Sequence, residues 1–257
     1  MDLPPLRHPV LSPGVRVLRR GSDEVQVGLD PRRALAMRTS VAVRRTLAVV
    51  TAAGPADDAD PDLLAALRER GLVTEHAAGR VARAPTPVRL LTAGVAPPSP
   101  DLLAAAGLRV ASAHEPAPVG LLVATGEPER ALLDPWVVEG LPHLVLRFVE
   151  GDAVVGPFVL PGHTPCVRCL DAHHTDDDRH WPLLVAQQHD GVAEIDPLLR
   201  TVATGWALGE LRSHLAARRP ATWGATLRLG RHLAESESVA WRRHPECGCA
   251  DDPLHTR

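Results

Sequence analysis

The run GPFVLPGHTPCVRCLDAHH, from Gly156 to His174, holds Cys166 and Cys169 as a C-x-x-C clip on a turn rich in proline and glycine. The other two cysteines, Cys247 and Cys249, stand in HPECGCA close to the C-terminal end. Zinc takes four ligands in a tetrahedron, and a C-x-x-C turn offers two thiolates without strain. Two short clips around a long insert predict a structural zinc site that staples the C-terminal segment to the middle of the chain. Its ligands are Cys166, Cys169, Cys247 and Cys249. Four thiolates leave no open position for water, so the site is read as structural rather than catalytic. Four unmetallated or redox thiols are the competing reading. His163, His173, His174 and His244 lie nearby in sequence and are read as surface or neighbouring groups.

Working outward, 257 residues with 45% apolar content suffice for one large domain or for one medium domain and a small one. No run of about 18 uncharged apolar residues predicts a membrane span. MDLPPLRHPVLSPG has no basic segment followed by an apolar stretch, so no secretory signal is expected and a cytoplasmic location is. Four cysteines in such a chain favour bound metal over disulfides, because cytosolic thiols are kept reduced. The net charge of -3 argues against nucleic acid as the main partner. All 28 basic residues are arginines, which excludes any mechanism that needs a lysine.

The N-terminal segment GVRVLRRGSDEVQVGLD alternates Val15, Val17, Val25, Val27 and Leu29 with polar residues around a Gly-Ser-Asp turn, a β-hairpin pattern. PRRALAMR predicts a third short strand and SVAVRRTLAVVTAAG a helix. Asp60 is placed to cap a second helix, PDLLAALRERGLV, with proline at its first position and Gly71 as its stop. Strands followed by small helices predict a winged-helix-like module over residues 1–80, ending in a polar boundary from Ala77 to Pro87.

A second domain is predicted over residues 86–257. VRLLTAGV, LRVASA, VGLLVAT and PHLVLRFVE read as strands, with helices in PDLLAAAG and EPERALLDPWVVEG between them. Such alternation implies an α/β fold with a mainly parallel, doubly wound sheet. HLVLRFVEGDAVVGPFVLPG then predicts an antiparallel hairpin around Gly151-Asp152. DAHHTDDDRHWP, with His173, His174, Asp176, Asp177, Asp178 and His180, is read as a solvated loop rather than a second metal or acid–base site. A long helix is predicted from Asp196 to Arg218, with Leu198, Leu199, Val202, Ala203 and Trp206 on its apolar face. ATWGATLRLGRH and SVAWRRH read as a closing strand pair.

A doubly wound sheet that binds a nucleotide follows its first strand with a glycine-rich turn that opens a helix. Here that turn reads TAGVAPPSPDLL, with Gly94 as its one glycine and three prolines. Prolines lack the amide protons that cradle phosphates. ATP is therefore not expected on this chain.

VVGPFVLPGHTPCVRCLDAHH, the later WP, the ATWGATLRL strand and the terminal HPECGC resemble ThiF-type cyclodehydratase components from bacterial clusters that make thiazole/oxazole-modified, bacteriocin-type peptides. GVRVLRRGSDEVQVGLDPRRAL is similar to the start of the precursor-recognition domain in the same proteins. The resemblance implies a Rossmann-like ThiF-type domain with a C-terminal antiparallel extension and structural Zn2+ at the four cysteines. It implies a winged module that binds the leader of a ribosomally made precursor peptide as an added strand. The leader groove would lie between Ala34, Leu35, Ala36 and Met37 on one side and Leu63, Leu67 and Arg68 of the Asp62–Arg70 helix on the other. A separate YcaO-type cyclodehydratase would perform the ATP-dependent heterocyclisation, this chain being non-catalytic by itself, and a homodimer is implied by the commonness of ThiF-type dimers. Two other functions remain open: an ATP-dependent adenylating enzyme, which needs the missing glycine loop, and a zinc-containing winged-helix transcription regulator, which needs a basic recognition helix.

Overall fold

Short capped helices and alternating strands build the N-terminal part of the chain. The structure, a computed structural model, describes residues 7–77, 84–188, 194–231 and 235–250. The expected boundary falls mostly on residues 78–83, outside the described ones, as do the first six residues of the segment read for a signal. The chain divides into two units, Met1–Arg83 and Ala84–Arg257.

In the first unit, β2 (Val17–Arg19), β3 (Glu24–Val27) and β4 (Leu35–Arg38) form an antiparallel three-stranded sheet in that order. α1 (Val41–Ala52) starts at Ser40, whose side chain accepts the Val43 amide hydrogen. α2 (Pro61–Glu69) starts at Asp60, whose carboxylate accepts from the Leu63 amide. Each cap satisfies an amide that the first helical turn leaves unpaired. The Asp60 amide in turn donates to the buried Thr46 hydroxyl at 2.8 Å, tying α2 to α1. Val27, Leu47, Val50, Leu64, Leu67 and Leu72 form the core. Sequence reading missed the pairing of β1 (Arg7–Leu11) with β5 (Val73–Ala77), an antiparallel two-stranded sheet. Their partners are more than 60 residues apart, and neither strand alternates cleanly.

The second unit is a seven-stranded sheet ordered β12-β11-β10-β9-β8-β6-β7. β6 (Thr86–Ala93), β7 (Leu108–Val110), β8 (Gly120–Thr125) and β9 (His143–Val149) run parallel. β10 (Asp152–Val159), β11 (Ala225–Leu229) and β12 (Ser236–Ala240) extend them antiparallel. Alternate residues serve opposite faces, as the strand period requires. Leu121, Val123, Leu144, Leu146 and Phe148 pack on one face with Leu103 of α3 (Pro100–Ala105) and with Leu199, Ala203, Leu208 and Leu211 of α7 (Pro197–Leu215). Leu122 and Val145 pack on the other with Trp136 of α4 (Asp134–Val138) and Val167 of α5 (Val167–Asp177). A parallel sheet covered on both faces explains why these strands read as continuous apolar runs.

Several expectations need correction. The β9–β10 turn is Glu150–Gly151, since Asp152 already pairs with Val149 and both turn residues have positive φ. Most of the histidine-acid segment is helical: α5 runs to Asp177, because consecutive acids near a helix end can face water without breaking it, and only Asp178–His180 form an exposed turn. Leu198 is 63% and Trp206 44% exposed; α7 buries Leu199 and Ala203 as expected and adds Ala207, Leu208 and Leu211 rather than those two. EPERALLDPWVVEG makes one 3-10 turn and the short α4. Among the described residues no helix is long and apolar enough to cross a membrane.

Gly156 decides how β10 ends. Its φ of +105° and a Cβ position 2.6 Å from the Ala225 carbonyl oxygen exclude other residues, and a register shift between Val155 and Phe158 bends the strand. Beyond the bend, Phe158 is fully buried, 4.9 Å from the His214 ring and stacked on Trp223. Phe158→Ala should destabilise the protein by about 3–5 kcal/mol. Urea unfolding measures it, and a loss below about 1 kcal/mol would mean the bend is held by backbone pairing alone.

Candidate metal centre and the ligand crevice

The bent β10 runs into Leu160, and the Thr164 hydroxyl closes the next turn by accepting the Leu160 amide hydrogen at 2.7 Å and donating to the Phe158 carbonyl at 3.1 Å. Cys166 follows as the N-terminal residue flanking α5, and Cys169 lies in its first turn. From the other direction, β12 delivers Trp241, whose amide donates to the Gly224 carbonyl and whose indole donates to Thr226. Cys247 and Cys249 follow. Cys166, Cys169 and Cys247 are buried and Cys249 is partly so.

The four sulfurs lie within 4.8 Å of one another. Neighbouring pairs are separated by 3.8 Å (Cys166–Cys169), 3.6 Å (Cys166–Cys247) and 3.4 Å (Cys169–Cys249). A disulfide requires about 2.05 Å, so these are free thiols. A tetrahedron with metal–sulfur bonds of about 2.3 Å has edges of about 3.8 Å, close to what is found. Hydrogen bonds from the neighbouring thiols hold Cys169 far below the usual thiol range, while the same bonds and burial push Cys166 up. One thiolate, on Cys169, is thus stabilised by its thiol neighbours, and the geometry of the four sulfurs can hold a tetrahedral metal such as zinc. The structure brings together all four residues expected from sequence.

The crevice where such sheets bind ligands lies at the C-terminal ends of β6 and β8, where the strand order reverses. Here the turn after β6 packs closely against β8 and α7. Gly94 has φ +67°, and the Thr125 hydroxyl sits 2.2 Å from where a Cβ would be. Arg200 of α7 donates to the Ala96 carbonyl at 2.8 Å. The Ala96 carbonyl of this turn is thus engaged by a cation of the same chain. Ser99 already accepts the Leu102 amide hydrogen, and Asp101 adds negative charge to the first turn of α3.

The groups predicted for peptide contact are distributed unevenly. β4 pairs only with β3, so its other edge is unpaired among the described residues. Leu35 and Met37 turn toward the core, Ala36 is exposed and Ala34 half-buried. Leu63 packs against the core, Leu67 is fully buried in it, and Arg68 donates to Glu75. The Thr39 amide donates to the Asp23 carbonyl. Alternation along the antiparallel ladder then turns the Ala36 and Arg38 backbone groups toward the open edge.

Sequence reading missed a buried charge network beside the crevice. Arg147 Nη1 donates to both Glu127 oxygens at 2.6 and 2.7 Å. Arg130 Nη2 donates to Glu127 and its Nε to Asp171, which also accepts the Trp181 indole hydrogen. Burial pushes the Glu127 carboxyl up, but Arg147 and Arg130 overcome it and hold it below its ordinary value; Asp171 shifts the same way. The available signal was Arg147 alone inside the apolar run HLVLRFV. Glu127 and Arg147 of this network line a cavity of about 690 Å³ between β9–β12 and the helices α5 and α6 (Trp181–Ala186), with His174, Trp181 and Trp241 in its wall. None of its lining comes from β6, α3 or β7.

No protein-family model matches the sequence, and no curated protein matches it significantly. Solved structures do match. The heterocyclase TruD superposes with a TM-score of 0.68 at 18% identity, over 95% of this chain and 43% of that one. A heterocyclase in complex with substrate and cofactor gives 0.64 at 18% identity, over 96% of this chain and 40% of that one. E. coli MccB with succinimide gives 0.58 at 13% identity, over 95% of this chain and 100% of that one. This chain spans less than half the length of the heterocyclases it matches, and at these identities the likeness is one of fold.

The charge network sets an acid limit on stability. Glu127 and Asp171 have lowered folded-state values, so their contribution is full above the ordinary carboxylate range and lost as pH falls through the folded values. Thermal stability should therefore drop below about pH 4.5. Glu127→Gln, which strands Arg147, should cost roughly 3–5 kcal/mol at pH 7 and flatten that drop. Melting profiles of both proteins from pH 3 to 7 measure this; parallel profiles would rule the network out as the cause.

Proposed function

We propose that this chain binds the leader of a ribosomally made precursor peptide and presents it to a YcaO-type cyclodehydratase for azoline or azole formation, without catalysing that step itself. The observation that carries this reading is the open edge of β4 in the N-terminal, winged-helix-like unit. An exposed edge offers unpaired amides and carbonyls to another strand, and proteins usually blunt such edges unless they use them. Within and just beyond Ala34–Met37, the backbone groups of Ala36 and Arg38 would pair with the leader. Leu63 and Arg68 would flank the groove, with the buried Leu67 holding its wall from inside.

Two further features support it. The fold matches heterocyclases, one with substrate bound, and also matches MccB in complex with MccA. The proline-rich turn after β6, with Gly94 packed on Thr125 and the Ala96 carbonyl taken by Arg200, favours a scaffold over an adenylating enzyme. The cysteine set would carry structural zinc, which removes it from chemistry because a tetrathiolate site is closed.

The test titrates a fluorescent leader peptide, taken from the precursor gene beside this one, and reads anisotropy. Ala36→Pro removes the outward amide without touching the β3 ladder, where an edge strand tolerates proline. It should weaken leader binding by at least about ten-fold, the worth of one lost hydrogen bond of roughly 1.4 kcal/mol. Unaltered binding by this variant would reject the edge-strand reading, and saturable ATP binding to the purified chain would reject the non-catalytic one. For the cysteines, metal analysis should find about one zinc per chain, and Cys247→Ser should release it and lower Tm.

A further inference from the structure

The two segments that carry the cysteines also bring a second set of donors together. One turn along α5 from Cys169 stand His173 and Asp176, three residues apart and therefore on one helix face. His244 stands three residues before Cys247. One ligating atom from each of His173, Asp176 and His244 lies within 4.8 Å of the others. From this geometry we infer that His173, Asp176 and His244 form a second cation site, with nitrogen and oxygen donors, for a divalent transition metal.

The ring geometry fits. The His173 and His244 rings meet edge to face, with centroids 4.8 Å apart. Two imidazoles on one tetrahedral cation, with metal–nitrogen bonds of about 2.1 Å and ring centres about 1.1 Å further out, have centroids about 5.2 Å apart. His173 Nε2 lies 2.9 Å from the Arg242 carbonyl, which only accepts, so Nε2 carries the proton and Nδ1 the lone pair. Metal-ligating histidines are held in this way, with the second nitrogen donating to a carbonyl. His244, 5% exposed, donates from Nε2 to Asp176 Oδ2 at 3.0 Å and accepts the Glu246 amide hydrogen at Nδ1.

A cation entering between Nε2 and Oδ2 takes the place of the Nε2 proton. That proton moves to Nδ1 on the neutral ring, and the 3.2 Å contact with the Glu246 amide is released. No proton leaves the protein. Asp176 is solvent-exposed, so the fourth position is open to water, as in metal sites with three protein ligands. Two imidazoles and a carboxylate suit zinc, cobalt or nickel better than magnesium or calcium. The bound cation would hold the C-terminal segment to α5 at a second point. The inference is independent of leader binding.

Cobalt titration of the reduced, full-length chain tests it, because the two sites have different spectra. A tetrathiolate cobalt site shows intense sulfur-to-metal charge transfer, whereas a site of two histidines and a carboxylate shows only weak visible bands. Wild type should bind two equivalents, one with each signature. Asp176→Asn keeps an oxygen to accept the His244 hydrogen bond but loses the anionic ligand. It should weaken the second equivalent by at least about ten-fold, as should His173→Ala. Without added metal the melting temperature of Asp176→Asn should match wild type, showing that the hydrogen bond alone survives. Absence of the weak-band equivalent in wild type, or its retention in both variants, would overturn the inference. Loss of the charge-transfer signature alone would count against the cysteine site and leave this one standing.

Discussion

The C-terminal third of the sheet depends on the meeting of four thiols. Cys166 and Cys247 touch across 81 residues of sequence, and holding a loop of that length closed carries an entropy cost that local contacts must offset. β12 offers little for that purpose: four of its five residues are exposed, and it stands at the edge of the sheet with only β11 beside it. What anchors this edge is the Trp241 backbone and indole bonds and, just beyond them, the cysteine cluster. His244 and Asp176 add a second contact between the same two segments.

At the opposite end of the parallel strands the turn after β6 packs closely against Thr125 of β8 and Arg200 of α7. A doubly wound sheet leaves a crevice where its strand order reverses, and glycine there normally lets a ligand approach the backbone. Gly94 is retained, yet it makes room for the chain's own Thr125. Three prolines remove amides, Asp101 adds an anion, and Arg200 takes up the turn carbonyls. The buried Glu127–Arg147–Arg130–Asp171 network fills the neighbouring space with paired charges, and the open volume lies instead over the antiparallel strands.

Legibility followed the range of the interactions. The start of α2 was readable because Asp60 caps an amide three residues ahead, and Ser40 and Asp196 do the same for α1 and α7. The parallel strands were readable because burial on both faces leaves them continuously apolar. The hairpin turn was displaced by one residue because both Glu150 and Gly151 take positive φ, and only glycine advertises that conformation. Leu198 and Trp206 misled because helical periodicity marks an apolar face without saying how much of it a neighbour covers. The run of acids after His174 looked like loop because composition reports solvation, and an exposed helix end is as solvated as a loop.

By itself the sequence determined the alternation of strands and helices, the proline-rich turn TAGVAPPSPDLL after the first parallel strand and the four cysteines in two clips. All of these are carried by residues within a few positions of one another, whose local geometry is set by backbone sterics, capping and side-chain period. Only the tertiary structure decided that β1 pairs with β5, that Arg147 is neutralised by Glu127 and Arg130 by Asp171, that β4 keeps an open edge, and that His244 meets His173 and Asp176. The contacts among these span 20 to 71 residues, and they form because packing of the folded chain brings distant groups within reach.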